Sequence, residues 1–214
     1  MRMIISHHGG EFVKITFGDT TIAFNPPSKD SDIKSSRFGC DIAFISINHP
    51  DMDGAEELGR GDKQPFVIKG PGEYEVQGIF SIGIPTKSEY GGENMINTVY
   101  ALQFEGMNIV YAGALSDPKI DPSALEQIDT VDILFVPIGG DGVLTPSDAQ
   151  KLAVSLEAKV VIPIHYEGMG EKGSLKTFLK EAGAEGVTAI DKYTIKKKDI
   201  AELSGSVVVL STNA

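Results

Sequence analysis

Tryptophan is missing from the 214 residues, and cysteine occurs once, as Cys40. A single thiol excludes an internal disulfide framework and a thiolate cluster for zinc. It leaves Cys40 as an expected buried core residue. Positive charge is also scarce: 19 Lys and Arg stand against 30 Asp and Glu, for a formal net charge of −11. That balance provides no footprint for nucleic acid or an anionic membrane. The one basic run, Lys196-Lys197-Lys198, reads as a solvated turn. No stretch approaches the ~18 apolar residues of a membrane span. The opening MRMIISHHGGEF holds no apolar run suited to a signal peptide, so the expected location is the cytoplasm.

What is present is an ordinary globular composition, 41% hydrophobic, in a length that buries a substantial core. The first half is strand-rich. FVKITFGDTTIAFNP alternates apolar and polar residues on both sides of Gly18-Asp19, which predicts a hairpin ended by Pro26 and Pro27. A polar loop over residues 28–37 leads to the apolar strand DIAFISI, and QPFVIKG, YEVQGIFSIGIP, NTVYALQFEG and MNIVYAG read as further strands.

The second half alternates strands with helices. Asp121 and Pro122 open a short helix. VDILFVPIGG and KVVIPIHY are continuous apolar strands, expected to be covered on both faces. Between them Thr145 is the expected N-cap of a helix with an apolar stripe of Ala149, Leu152, Ala153 and Leu156. A second helix carries Leu175, Phe178, Leu179 and Ala182 inward and stops at Gly183, and SGSVVVLST closes the chain as a strand. The expected organisation is one domain over residues 1–214, with two strand layers and outer helices.

Candidate chemistry sits where strands end. His49 and Asp51 follow FISIN, and His165 follows VVIPI. Imidazole and carboxylate are zinc-type donors. The alternative is structural: a hydrogen-bonded histidine, and Asp51 as a helix cap before GAEEL. GGDG at residues 139–142 lacks the Lys-Ser/Thr of a phosphate loop, and no G-x-S-x-G elbow is present.

With GGEFVKI, GPGEYEV, FVPIGG and IPIHY in view, the chain resembles the metallo-β-lactamase superfamily, in the branch similar to ascorbate-6-phosphate lactonase and small metal-dependent hydrolases. The resemblance implies an α+β fold, a four-layer αββα sandwich. It also implies a metal motif, His-x-His-x-Asp-His, which here reads Ile47-Asn48-His49-Pro50-Asp51-Met52. His49, Asp51 and His165 match family ligand positions. Ile47, Met52, Ser88 and Ala114 stand where the other ligands belong, and Asn25 replaces an early Asp.

Ile47 and Ala114 carry no donor atom, and the Met52 thioether suits Cu(I) better than Zn(II). The family pattern also sends His49 to one metal and Asp51 with His165 to the other, roughly 3.5–4 Å apart. The expectation is therefore a degenerate, metal-poor member with no tightly bound cofactor and a non-hydrolytic binding or scaffold role. Asp51 and His165 would then hydrogen-bond each other. The alternative is a hydrolase of esters, lactones or phosphoesters with one zinc, iron or manganese on His49, Asp51 and His165, and Asp51 as its catalytic residue. Lys87, His7 and His8 are candidate substitutes for lost ligands, with Lys87 expected to face away from Ser88 and the two histidines expected to be exposed. Expected partners are a small anion in the old cleft and a second copy of the chain.

Overall fold

The computed structural model describes residues 1–126, 128, 130–166 and 168–213. β1 (Met3–His7) pairs antiparallel with β2 (Val13–Phe17), and β2 turns at Gly18-Asp19 into β3 (Thr20–Phe24). β4 (Ile42–Ile45) and β5 (Phe66–Lys69) then add in parallel. The chain next builds an antiparallel meander of β6 (Gly72–Val76), β7 (Ile79–Ser88), β8 (Met95–Phe104) and β9 (Met107–Tyr111). β10 (Ile133–Pro137) and β11 (Val160–Ile164) extend it in parallel. β12 (Tyr193–Ile195) returns to β1, and β13 (Ser206–Val207) lies beside β11. The result is two mixed sheets, ordered β12-β1-β2-β3-β4-β5 and β13-β11-β10-β9-β8-β7-β6.

Period-2 alternation explains how the sheets stack. Ile15, Ile22, Phe24, Ile42 and Phe44 point from the first sheet toward Tyr100, Tyr111 and Phe135 of the second, all fully buried. The Phe24 ring stacks on Tyr111 at 4.4 Å and on Phe44 at 4.9 Å. Truncating such a ring to alanine costs about 3–5 kcal/mol.

The residues pointing the other way need cover. On the seven-stranded sheet α2 (Pro146–Ser155) and α3 (Ser174–Glu181) supply it, with Ala149, Leu152 and Phe178 packed over Val110, Leu134 and Val161. On the six-stranded sheet the cover is a 3-10 turn, Ala55–Leu58, with Phe38 and Cys40 over Ala23, Ala43 and Ile45. This is the α+β sandwich expected, with a thinner outer layer on one side. Burial and the neighbouring Asp41 push the Cys40 thiol up to about 12, so it is packing and not a nucleophile.

Local signals act where they were read. The Thr145 hydroxyl accepts from the Asp148 N–H at 3.2 Å, with Pro146 in the first turn. Asp121 accepts from the Ser123 N–H at 2.8 Å before α1 (Pro122–Leu125). Gly183 takes φ +64, one residue past the Ala182 cap of α3. Two expectations need correction. The last strand pairs over two residues only, because the chain bends and Leu210 bridges Ile190 instead. The lysine run begins a one-turn helix, α4 (Lys197–Ile200), that buries Ile200. Among the described residues no helix is long and apolar enough to cross a membrane.

Candidate functional site

The loop after β4 is fixed from beneath by Asn25. This residue ends β3 with φ +44, a left-handed conformation that asparagine tolerates. Its Oδ1 accepts from the Ser46 N–H at 2.8 Å, and its Nδ2 donates to Glu11 Oε2 and Ser46 Oγ, both at 2.7 Å. A carboxylate could not donate those two bonds, which gives asparagine at this turn a direct purpose.

Glu11 is the centre of this buried network. Its Oε1 lies 2.7 Å from Nδ1 of His165, and both side chains are fully buried. The Tyr111 hydroxyl donates to the Glu11 carbonyl at 2.7 Å. His165 itself has φ +59, held by its N–H on the Gly10 carbonyl at 2.9 Å. With Nδ1–H directed at Glu11, the Nε2 atom of His165 is buried with no hydrogen-bond partner among the described residues.

Asp51 belongs to a different set of contacts. Its Oδ1 accepts from Ser31 Oγ at 2.5 Å and its Oδ2 from the Tyr90 hydroxyl at 2.6 Å. The Asp51 N–H donates to Nδ1 of His49 at 3.2 Å, so that nitrogen is an acceptor and the proton sits on Nε2. The expected Asp51–His165 hydrogen bond is not formed: Glu11 takes the histidine and two hydroxyls take the aspartate.

Tyr90 lies between the two histidines. Its ring meets His49 edge-on at 4.8 Å and His165 at 5.0 Å, the latter at 88°. Its N–H donates to Oγ of the buried Ser88 at 3.1 Å, which ties the ring to the end of β7. Burial and the adjacent Asp51 carboxylate hold the phenol well above its usual range, so it remains a donor. Gly91 follows with φ +77, and a Cβ there would lie 2.5 Å from Cδ2 of His49. Ile47, Met52, Ala114 and Val143 form a small buried cluster against Tyr90, Met95 and Met169.

These residues do not fit the paired-metal centre that the fold implies. Metal ligands must aim free lone pairs at one point. Here both Asp51 oxygens and Nδ1 of His49 accept hydrogen bonds from the protein, and an aromatic ring lies against both His49 and His165. Among the described residues no group of three His, Cys, Asp or Glu is placed to hold a metal ion. The candidate substitutes do not alter this. Lys87 is exposed, on the face opposite Ser88 as expected. His7 and His8 are buried, not exposed. His7 donates toward the Gly10 carbonyl and stacks on Tyr166. His8 gives its Nδ1–H to Ser36 Oγ at 2.6 Å.

An open cleft of about 450 Å³ adjoins Tyr90 and Asp51. Asp32, Asp51 and Asp141 line it against Lys34 alone, a balance that opposes the expected small anion in this cleft.

Two residues of the site were not anticipated. Glu11 had one signal, a lone carboxylate inside the apolar GGEFVKI. Tyr90 had a weaker one, an aromatic before Gly91-Gly92 just past the Ser88 position.

Comparison with known proteins agrees with this architecture. A family model described as "Beta-lactamase superfamily domain" matches residues 5–165. A UPF0173 metal-dependent hydrolase of Listeria innocua is 27% identical, covering 77% of this chain and 85% of that one. A structure from Thermotoga maritima, described as a Zn-dependent hydrolase of the metallo-β-lactamase superfamily, is 25% identical with a TM-score of 0.76, covering 99% of this chain and all 100% of that one. YhfI of Bacillus subtilis, a metallo-β-lactamase fold protein, shares the fold at 10% identity and a TM-score of 0.63, over 100% and 98% of the two chains. These likenesses establish the superfamily and do not single out the narrower ascorbate-6-phosphate lactonase branch.

Proposed function

Because the chain belongs to the metallo-β-lactamase superfamily, we propose its role as a departure from that family's hydrolysis: a non-hydrolytic member that uses the fold and its cleft for binding, without a resident pair of metals. The observation that carries this reading is the Tyr90 side chain, seated among His49, Asp51 and His165 with its hydroxyl on the carboxylate. A phenol O–H there satisfies one oxygen of the Asp51 carboxylate by hydrogen bonding, and the ring fills space that close packing does not leave empty. The apolar cluster of Ile47, Met52 and Ala114 supports the same reading from the other wall.

The test is metal analysis of protein purified without chelator, with hydrolysis of ester, lactone and phosphoester substrates assayed in added zinc or manganese. Substoichiometric metal and no turnover are expected. Stoichiometric metal that disappears in His165→Ala, together with turnover, overturns the reading.

A second reading is favoured by one observation, the unpartnered Nε2 of His165, and by kinship to metal-dependent hydrolases. In it the Tyr90 ring leaves, and His49, Asp51 and His165 hold one ion. Metal uptake by the unmodified chain, equal to that of Tyr90→Ala, distinguishes this reading from the first.

A further inference from the structure

The polar segment at residues 28–37 is pinned at three points. Ser31 donates to Asp51 at 2.5 Å. Ile33 packs over the Gly9-Gly10 backbone, so closely that a Cβ on Gly10 would lie 3.0 Å from its Cδ1. Ser36 accepts from His8 and donates to the Asn213 carbonyl at 2.9 Å. Along this segment, several groups that donate hydrogen bonds are left without acceptors among the described residues.

Much of this segment lines one recess of about 250 Å³, together with Phe12, Pro27 and Leu58. Lys29, Lys34, Ser35 and Arg37 line it. Among the described residues neither Lys29 nor Lys34 forms an ion pair. Among the described residues the Ser35 hydroxyl has no partner and the backbone N–H groups of residues 34–37 reach no acceptor. One carboxylate opposes them: Glu57 pairs with Arg37 through Nη1 at 2.7 Å, leaving the other guanidinium N–H groups available.

Two unpaired ammoniums, half a guanidinium, a hydroxyl and consecutive amides, on a loop already fixed, amount to a preorganised anion cradle. It is conspicuous in a chain of net charge −11. We propose that this recess binds the phosphate group of a small molecule. Its volume lies below the ~300–1,000 Å³ of sites for drug-sized ligands, which suits inorganic phosphate or a short phosphate monoester. The site goes beyond the reading above, since it needs no metal and takes a different ligand, although Ile33 and Lys34 also border the Tyr90 cleft.

The test follows backbone amide NMR signals of the full chain during titration with sodium phosphate and, separately, with glycerol 3-phosphate. Sodium chloride at matched ionic strength is the control. Saturable shifts at residues 34–37 are expected, with affinity about tenfold weaker or more in Lys29→Ala/Lys34→Ala. Both lysines are exposed, and an unchanged melt verifies the fold of that variant. Tighter binding of the monoester assigns the site to a phosphorylated metabolite class, and equal binding assigns it to free phosphate; each supports the recess. Shifts matched by chloride, shifts undiminished in the double variant, or no saturable shift overturn it. Shifts abolished by EDTA would move the phosphate onto a bound metal and overturn it as well.

Discussion

The Tyr90 hydroxyl stands 2.6 Å from Oδ2 of Asp51, joining the β7–β8 connection to the loop after β4. Because the same ring faces both histidines, one substitution tests several contacts at once. Tyr90→Phe removes the hydrogen bond and should cost about 1 kcal/mol. Tyr90→Ala also opens a hole and should cost about 2–3 kcal/mol. In calorimetric titration the parent chain should give no saturable heat with zinc, while Tyr90→Ala should bind one ion and lose it on adding His165→Ala. Identical zinc isotherms for parent and Tyr90→Ala would sink the idea that the ring stands in the ion's place.

Glu11 offers a second test, of stability alone. Removing it by Glu11→Ala orphans His165 Nδ1 and one of the two Asn25 Nδ2 N–H groups in a fully buried site, an expected loss of about 3–5 kcal/mol in urea unfolding. Glu11→Gln keeps an acceptor for His165 and should lose distinctly less. Equal losses would mean that the carboxylate with both of its acceptor oxygens, not packing or one retained acceptor, governs this position.

His8 should shape the acid limb of the stability curve. Burial, then the positive Lys14 nearby, lowers its pKa from 6.5 to about 4. The unfolded chain therefore takes up a proton that the folded chain refuses. Stability from this group is complete above pH 6.5 and declines as pH falls toward 4, by at most about 3 kcal/mol. Urea midpoints at pH 7, 6, 5 and 4 should fall less steeply in His8→Asn. Parallel pH profiles for parent and variant would count against the assignment.

Thr145→Ala removes the acceptor for the Asp148 N–H at the start of α2 and should cost about 1 kcal/mol. Faster amide exchange confined to the first turn of α2 would identify the cap as the cause, whereas uniform acceleration would point to a global effect.

Much of the architecture was legible because its signals are local. Alternation gave the β2–β3 hairpin, continuous apolar runs gave β10 and β11, and Thr145 with its stripe gave α2. The end of the chain was misread for a physical reason: Val207, Val208 and Val209 look like one strand, but only the first pairs in a ladder before the chain turns to bridge residue 190. At the site, His49, Asp51 and His165 could be found from their motif, whereas their partners could not. Glu11 meets His165 across 154 positions and Tyr90 meets Asp51 across 39. No periodicity encodes such distant encounters. The Asp51–His165 pairing was the economical guess, and it failed because a fully buried carboxylate from the β1–β2 turn takes the imidazole instead.

Gly91 carries a consequence out of proportion to its size. Its missing side chain is what lets the His49 imidazole lie flush against the loop, since any β-carbon would overlap Cδ2. Alanine there would evict the imidazole, unseat the phenol beside it and loosen the wall of the pocket. A hairpin residue that bears no functional group thereby sets where the His49 ring can lie.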